Sequence, residues 1–266
     1  MHLSEIWIYP VKSLGGIRLK EAVVEEKGLR YDRRWMVVDE AGKFITQRSH
    51  PTMALIATAI GASELMLFDR EDPNDSVSVP LDVEDSGAEI LAQVWKDTVQ
   101  VKVLSDDVNA WLSGKLGQNV RLVSMHEHTN RTMNPQDAIA GARLSFADDF
   151  PYLLTTEASL EDLNGRLETP ASMSRFRPNF VISGSRPFQE DEWNFINIGN
   201  LQFTVSKPCE RCVLINVDQS RGVRGVEPLK TLASYRKENR KIIFGQNLIA
   251  QNYGMIKEGD QVEICS

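Results

Sequence analysis

Residues 193–217 read WNFINIGNLQFTVSKPCERCVLINV. Three short apolar segments in this stretch, 193–198, 201–205 and 213–217, have the composition of β-strands. Similar strand-like segments recur along the chain, at 3–9, 34–39, 43–47, 99–104, 119–125, 180–183 and the end of 257–265. Many short strands with few helices are typical of a β-barrel with helical decoration, so the predicted fold class is mainly β (α+β).

Helical patterns are fewer and fall in three segments, 105–117, 156–167 and 227–239. Ser105 predicts the start of the first helix and Gly117 its end. The turn residues 39–42 predict a hairpin between 34–39 and 43–47. The acidic segment 64–89 predicts exposed strands and loops. The polar, irregular segment 126–144 predicts a domain boundary or an active-site loop.

The composition excludes several classes of protein. The 266 residues are 42% hydrophobic and 25% charged, which is ordinary for a globular protein and sufficient for two domains. The net charge of −7 argues against a nucleic-acid binder, although it permits a local basic pocket. We find no signal peptide and no apolar run of the roughly 20 residues that a membrane span needs. We therefore expect a cytoplasmic protein with no membrane association and with free thiols.

Cys209 and Cys212 form a C-x-x-C motif that has four interpretations. A zinc site needs four ligands, and in the absence of a second C-x-x-C only His126 and His128 are candidates to complete it. A dithiol redox motif usually precedes a helix, whereas 213–217 predicts a strand. The spacing is explained equally well by a single thiolate ligand or nucleophile beside nearby cations, and by two small buried side chains.

Several candidate anion-binding residues lie beside turns or prolines, namely Lys12, Ser13, Arg33, Arg34, Arg175 and Arg177. The Lys-Ser pair precedes Gly15-Gly16, and such a group can present a cation, a hydroxyl and backbone N–H groups to one phosphate. No P-loop pattern accompanies it. Taken singly, each cation is better explained as a solvated surface charge.

Two acidic residues, Asp148 and Asp149, precede Phe150-Pro151. Adjacent carboxylates on an extended chain point in different directions, so the pair predicts no acid dyad, and one member is either a general acid or base or a turn residue. The segment Phe244-Gly-Gln-Asn247 predicts a strand end with a bulge at Gly245. The five tryptophans are predicted core residues: Trp7, Trp35, Trp95, Trp111 and Trp193.

Five motifs occur in order along nearly the whole chain: Pro10-Val-Lys-Ser13, Asp32-Arg-Arg-Trp35, Phe176-Arg-Pro-Asn179, Lys207-Pro-Cys-Glu-Arg-Cys212 with Val217-Asp218, and Phe244-Gly-Gln-Asn247. On these motifs the sequence resembles the MOSC-domain family. It is similar in particular to two-part members with an N-terminal MOSC-associated β-barrel region, such as the amidoxime-reducing components and bacterial relatives. The resemblance implies an N-terminal β-barrel region at 1–118 and a MOSC domain at 119–266.

The resemblance implies a molybdenum–pterin cofactor seated between the two regions. Cys212, the second cysteine of the C-x-x-C, would be the thiolate ligand of the metal, and Asp148 corresponds to an acidic position near it. The residues implied to hold the pterin and its phosphate are Lys12, Ser13, Arg33, Arg177 and Asn179. This assignment agrees with chemistry, because a soft thiolate suits such a metal and an anionic cofactor needs several cations.

The activity implied by the resemblance is reduction of N-hydroxylated small molecules, with Cys212 and Asp148 as catalytic residues. We expect neither the iron–sulfur domain of some bacterial relatives nor the membrane anchor of the mitochondrial proteins in this protein. We therefore expect its electrons to come from an external reductase, ferredoxin or cytochrome. Asp149 and Phe150 stand where those relatives have small hydroxyl residues, which would alter the polarity of the substrate pocket.

Two other functions are consistent with the same residues. MOSC domains also occur in molybdenum-cofactor sulfurases, so Cys212 is an alternative carrier of sulfur or of the cofactor. The pyridoxal phosphate associated with that family belongs to a desulfurase domain, which we do not expect in this protein, so a sulfur donor would be separate. A non-catalytic module would instead bind zinc through Cys209, Cys212, His126 and His128.

Overall fold

The structure is a computed structural model of the 266-residue chain and describes residues 1–82, 88–126, 129, 131–133 and 143–265. The predicted loop at 126–144 therefore lies largely outside the described residues. The described part of the chain forms nineteen β-strands, three α-helices and four short 3-10 helices. The mainly β fold class is confirmed.

The strands of the first half of the chain are β1 (His2–Ile8), β2 (Ile17–Leu19), β3 (Glu21–Glu25), β4 (Gly28–Leu29), β5 (Trp35–Asp39), β6 (Ile56–Ile60), β7 (Glu64–Asp69), β8 (Ser76–Pro80), β9 (Glu89–Val94), β10 (Asp97–Val103) and β11 (Val120–Met125). Those of the second half are β12 (Tyr152–Thr156), β13 (Phe180–Ser183), β14 (Phe195–Ile198), β15 (Leu201–Glu210), β16 (Lys237–Glu238), β17 (Lys241–Ala250), β18 (Gly254–Lys257) and β19 (Val262–Cys265). The helices are α1 (Asp106–Leu116), α2 (Glu157–Asn164) and α3 (Leu229–Tyr235).

The strands are arranged in four sheets within the described ranges. The largest has nine strands in the order β19-β14-β15-β17-β12-β13-β1-β2, with β16 beside β17. The smaller sheets are β5-β11-β10-β9, β18-β3-β4 and β6-β7-β8. β12 and β13 are parallel, and the other paired strands are antiparallel. Parallel neighbours need a crossover connection, which α2 provides here.

The sheets join residues from both predicted regions. β1, from the first region, pairs with β13, so that Ile6 lies opposite Phe180. β11, beyond residue 118, pairs with β5 and β10 of the first region. Strand pairing thus crosses residue 118 in both directions, and the division into 1–118 and 119–266 stays a prediction.

The two largest hydrophobic cores among the described residues support these sheets. One is formed by the inner face of the nine-stranded sheet with β3 and β18, and contains Leu3, Phe180 and Phe203. The other lies under α1, whose Leu112 packs with Trp35 of β5 and their neighbours. Gly117, in the left-handed conformation, ends α1 as the sequence predicts, so the helix keeps its apolar face on the sheet.

A bulge interrupts the pairing of β15 with β17. Pro208 pairs with Gln246 and Glu210 with Ile243, so Cys209 alone lies opposite the two residues Phe244 and Gly245. Gly245 has φ +77°, a conformation that favours glycine. The bulge predicted at Gly245 is present, but it lies inside a ten-residue strand and not at a strand end. It bends the pair where the C-x-x-C motif leaves the sheet.

The prediction of a strand at 213–217 is wrong. Residues Val213–Asn216 form one turn of 3-10 helix that begins directly after Cys212. Val213 is 41% exposed, whereas Ile215 is buried beside Phe176 and Phe244. β15 runs on to Glu210 and the chain then turns, so these apolar residues do not alternate across a sheet.

Other sequence predictions need smaller corrections. The segment 43–47 makes only isolated bridges, such as Val38 with Phe44, and no second hairpin strand. The third helix covers Leu229–Tyr235 and not 227–239, because Lys237–Glu238 pairs with β17.

The described part of the acidic segment 64–89, residues 64–82 and 88–89, is exposed mainly on one face. Leu65, Leu67 and Val79 on its other face are buried in the core under α1. In the part of the chain that the structure covers, no helix has the length and apolar composition needed to cross a membrane.

Candidate functional site: a cationic cavity ending at Cys212

A cavity of about 160 Å³ opens between the segment that follows β1 and the ends of β15 and β17. Its charged lining consists of Lys12, Arg33, Arg48, Asp148, Asp149, Arg175, Arg177, Lys207, Glu210 and Arg211. Seven of these side chains are cationic and three are carboxylates, so the cavity is positive in a chain whose net charge is −7. Such a cavity attracts an anion.

The residues that the resemblance implies for the cofactor and the chemistry all line this one cavity: Lys12, Ser13, Arg33, Asp148, Arg177, Asn179 and Cys212. Arg175 lines it too, whereas Arg34 does not and pairs with Glu25 instead. Two neighbours were missed. Arg48 follows a turn and precedes Pro51 by three positions, the same type of position that singled out the other cations. Trp95, predicted to be a core residue, is 43% exposed on the turn between β9 and β10. Trp35 and Trp193 are buried as predicted.

Backbone strain is concentrated at the site. Ser13, Arg33 and Arg177 have φ values of +68°, +52° and +55°, although none of them is glycine. Left-handed conformations of such residues are uncommon and cluster at functional sites, where the surrounding fold enforces them. The three residues lie in three separate connections, which the sheets bring together.

The ring of Tyr9 packs against two of these cations, Arg33 and Arg177. The guanidinium carbons of Arg33 and Arg177 lie 4.4 and 4.1 Å from its ring centroid. Burial raises the pKa of Tyr9, so its ring is a neutral aromatic surface for both cations. Burial, together with the nearby charge of Arg33, lowers the pKa of Arg177 to about 10. The positive charges of Arg33 and Arg177 are held close together on the Tyr9 ring, and such a pair favours the binding of an anion beside it.

Asn179 is a buried connecting residue. Its Oδ1 accepts a hydrogen bond from the backbone N–H of Leu153 at 3.1 Å, and its Nδ2 donates to the carbonyl of Trp7 at 3.1 Å. Arg33 Nη1 lies 3.4 Å from the same Oδ1 and 2.6 Å from Asp32 Oδ2. Asn179 therefore fixes β1 against β12 and helps to orient Arg33.

Two guanidinium groups at the cavity have unused nitrogen atoms. Arg177 Nη1 donates to the Leu14 carbonyl at 2.8 Å, and Arg211 donates to the Phe244 and Phe176 carbonyls at 2.8 and 2.9 Å. The Nη2 atoms of both arginines are buried and have no hydrogen-bond partner among the described residues. Unpaired buried donors are costly, so these two atoms fit the oxygen atoms of a bound anion.

Lys12 and Asp148 form the polar edge of the cavity. Lys12 Nζ donates to the Phe146 carbonyl at 2.7 Å and forms an ion pair with Asp148. Burial lowers the pKa of Lys12 to about 8, against the opposing effect of Asp148. Burial would raise the pKa of Asp148, but Lys12 and Arg48 outweigh it and hold that pKa far below its ordinary value. Asp148 is thus ionised at neutral pH, whereas Lys12 holds a proton that it can release.

The two cysteines of the C-x-x-C have different environments. Cys209, at the bulge, is partly buried, and burial raises the pKa of its thiol. Cys212 is exposed, and its Sγ lies 3.7 Å from Arg48 Nη1. Cys212 is therefore the accessible thiol and Cys209 remains protonated.

Asp149 and Phe150, the two residues expected to alter the pocket, both line the cavity. Burial raises the pKa of Asp149, and the adjacent charge of Asp148 raises it further. Phe150 is buried, with Lys207 Nζ 5.2 Å from its ring centroid. Phe150 thus gives the cavity an apolar side, whereas Asp149 adds a carboxyl group to it.

The zinc interpretation finds no support in the geometry. Among the described residues, no group of three or more His, Cys, Asp or Glu side chains could hold a metal ion. His126 Nε2 lies 3.4 Å from Glu89, at the end of β11. His128 lies outside the described residues.

We expect anion binding in the cavity to weaken as the pH rises through about 8, because Lys12 then loses its proton. Sulfate is a suitable probe, since its charge is constant in this range. Its dissociation constant, measured by calorimetry on the protein without cofactor, should increase about fivefold from pH 7 to pH 9. Lys12→Arg should remove that increase, because arginine stays protonated. Equal affinities of the wild type at both pH values would contradict the assignment of Lys12.

The fold and the cavity together define a mainly β protein with a cationic, thiol-bearing anion pocket. Residues 1–119 match the MOSC N-terminal beta barrel domain, and residues 141–263 match the MOSC domain. The chain belongs to the MOSC family.

Similar relatives fall into two groups. The chain is 35% identical to a molybdenum cofactor sulfurase of Oryza sativa subsp. japonica, over 100% of this chain and 34% of the relative. It is 34% identical to the mitochondrial amidoxime-reducing component 1 of Mus musculus, over 98% of this chain and 81% of the relative. It is 33% identical to the mitochondrial amidoxime-reducing component 1 of Homo sapiens, over 98% of this chain and 82% of the relative. The chain thus spans about a third of the sulfurase and most of the amidoxime-reducing components.

Proposed function

We propose that this protein is a molybdenum-cofactor-binding oxidoreductase that reduces N-hydroxylated small molecules. One observation carries the proposal: the exposed Cys212 thiol ends a cavity lined by seven cations. Two of these have buried Nη2 atoms with no hydrogen-bond partner in the described ranges. The similarity to amidoxime-reducing components along most of their length supports the reaction class.

The residues present fit the implied cofactor. Lys12, Ser13, Arg33 and Arg177 would hold its anionic groups, with Asn179 keeping Arg33 in place. Cys212 would be the ligand of the metal, since a thiolate is soft and this thiol is exposed. When bound, the cofactor would supply two-electron transfer to the substrate.

The protons of the reaction are assigned to this chain. Conversion of N–OH to N–H and water takes up two electrons and two protons, so a proton donor is needed near the substrate. The resemblance implies Asp148 as a catalytic residue, but its lowered pKa keeps it ionised at neutral pH, so it has no proton to donate. Lys12, with a pKa of about 8, is the better donor, and Asp148 orients it through their ion pair.

The reaction is tested with protein made in molybdenum-replete cells, reduced methyl viologen as electron source and an aromatic amidoxime as substrate. We expect formation of the amidine, with two viologen radicals oxidised for each molecule formed. Protein that contains molybdenum and pterin but yields no amidine or amine from any N-hydroxylated compound would contradict the proposed reaction.

A second candidate function is transport of sulfur or of the cofactor by Cys212. It is favoured by the exposure of this thiol and by the sulfurase similarity over the whole chain. A stable persulfide on Cys212, detected by mass spectrometry in protein without reductase activity, would support it.

We propose an external reductase, ferredoxin or cytochrome as electron donor and a cytoplasmic location, with no nucleic-acid partner. The negative net charge supports the last point.

A further inference from the structure

Arg48 and Trp95 form a compact cluster at the mouth of the cavity that the proposed cofactor contacts do not use. The guanidinium carbon of Arg48 lies 4.3 Å from the centroid of the Trp95 ring. Arg48 Nη1 lies 3.7 Å from Cys212 Sγ and 3.7 Å from Asp148 Oδ2. A cation is therefore held directly beside the accessible thiol.

The cluster is rigidly built. Trp95 has φ +54° on the turn between β9 and β10, and its Nε1 donates to Asp148 Oδ1 at 3.0 Å. The Asp148 carbonyl accepts a hydrogen bond at 3.0 Å from Arg131, whose Nε donates to Asp97 at 2.8 Å. These contacts connect the hairpin turn to the segment that carries Asp148. The position of the indole is thereby fixed, and with it the surface on which Arg48 lies.

The backbone of Arg48 is held from the other side. Its carbonyl accepts a hydrogen bond from Arg224 Nη1 at 2.9 Å. Only 21% of the Arg48 side chain is exposed. The guanidinium is thus held between the C-terminal part of the chain and the Trp95 ring, so little entropy is lost when it binds a ligand.

The charge of Arg48 is only partly compensated. Asp148 has Lys12 as its close partner, so one carboxylate faces two cations. The Arg48 contact of 3.7 Å is longer than a hydrogen bond, and the guanidinium has five N–H donors in a planar fork that suits a carboxylate or another planar anion. The indole face beside it suits the apolar body of such a ligand.

We propose that Arg48 and Trp95 form an anion-binding subsite beside Cys212, and that it selects anionic substrates. The choice of substrate class rests on the proposed function: the preferred substrates are N-hydroxylated compounds that carry a carboxylate or an ionised N–O oxygen. The subsite itself is a property of the protein without cofactor.

Alkylation of Cys212 tests the subsite without any activity of the loaded enzyme. Iodoacetate and iodoacetamide both react with the thiolate, which forms a sulfur–carbon bond while the carbon–iodine bond breaks and iodide leaves. The reagents differ in charge, so the ratio of their rates at Cys212 reports attraction of the anion and is independent of the thiolate fraction. The rates are measured on the full chain without cofactor, by mass spectrometry of the Cys212 peptide.

We expect Arg48→Gln to lower the iodoacetate to iodoacetamide ratio about fivefold at low ionic strength, and added salt to lower the wild-type ratio towards that of the variant. Arg48→Lys should keep most of the preference, and Trp95→Ala should lose part of it because the guanidinium is no longer held. Arg186→Gln is the matched control, since it removes one exposed cation that does not line the cavity. A ratio that is the same in wild type and Arg48→Gln would overturn the subsite.

The loaded protein then separates this proposal from the reaction itself. In wild type, kcat/KM should be higher for an amidoxime that carries a carboxylate than for its neutral parent, and Arg48→Gln should remove the difference. Reduction of both compounds without such a preference would overturn the substrate class. A changed alkylation ratio in a protein that reduces neither compound would leave the subsite standing and contradict the proposed function.

Discussion

Cys212→Ser is expected to lose bound molybdenum by more than about tenfold, the largest functional effect of any single substitution in this chain. Cys212 is exposed at the end of the cationic cavity, and its thiolate is the soft ligand that would hold the metal. A serine hydroxyl at the same position is a hard and weakly acidic ligand. The content is measured by mass spectrometry of the metal in protein from molybdenum-replete cells.

Cys209→Ser is the matched control for this substitution. Cys209 lies three positions earlier in the same motif, but burial raises the pKa of its thiol and its Sγ is directed to the Glu210 carbonyl at 3.9 Å. The control should keep its molybdenum. The assignment of the ligand would be contradicted if Cys212→Ser kept its molybdenum. It would also be contradicted if both variants lost molybdenum equally while their melting temperatures stayed unchanged.

Gly245→Ala is expected to give the largest loss of stability. Gly245 has φ +77°, and an added Cβ would lie 2.5 Å from the Leu154 carbonyl oxygen and 2.8 Å from Thr155 Cγ2. The left-handed conformation and the backbone contact together should cost about 3 kcal/mol of unfolding free energy, or roughly 6–12 °C in melting temperature. Thermal unfolding followed by circular dichroism measures the effect.

Gly114→Ala is the corresponding control in helix α1. Nothing lies within 4 Å of the position of its added Cβ. Because glycine is unfavourable inside a helix, this variant should be more stable than wild type by about 0.5–1 kcal/mol. If Gly245→Ala had the same melting temperature as the wild type, the bulge would not require glycine.

The sequence predicts those parts of the fold and site that depend on local patterns. The strands near 3–9, 99–104 and 180–183 were recognisable because each is short, apolar and bounded by turn residues. The cysteine motif and the cations beside prolines were recognisable for the same reason. All the residues chosen in this way except Arg34 line one cavity, although their roles stay predictions.

The contacts that give the site its chemistry depend on distant parts of the chain. Lys12 and Asp148 are 136 positions apart, and Arg48 and Cys212 are 164 positions apart. No spacing in one sequence indicates such pairs, so Arg48 was missed. Nor does it indicate that Lys12 and Arg48 together hold the pKa of Asp148 below its ordinary value.

The misassigned segment 213–217 shows a limit of short apolar patterns. Five residues rich in Val, Ile and Leu fit a buried strand and a buried turn equally well. Here the turn forms, because Ile215 fills the core beside Phe244 after β15 has ended at Glu210. Trp95 was misplaced for a related reason: a large aromatic residue is usually buried, and this one is held at the surface by Arg48 and Asp148.

The most direct test is the molybdenum and pterin content of the wild-type protein. It is purified from molybdenum-replete cells beside an amidoxime-reducing component made in the same host, and analysed by metal mass spectrometry and by pterin fluorescence after oxidation. We predict about one molybdenum and one pterin for each chain. Neither molybdenum nor pterin in this protein, while the relative loads fully, would contradict the assignment of the cavity.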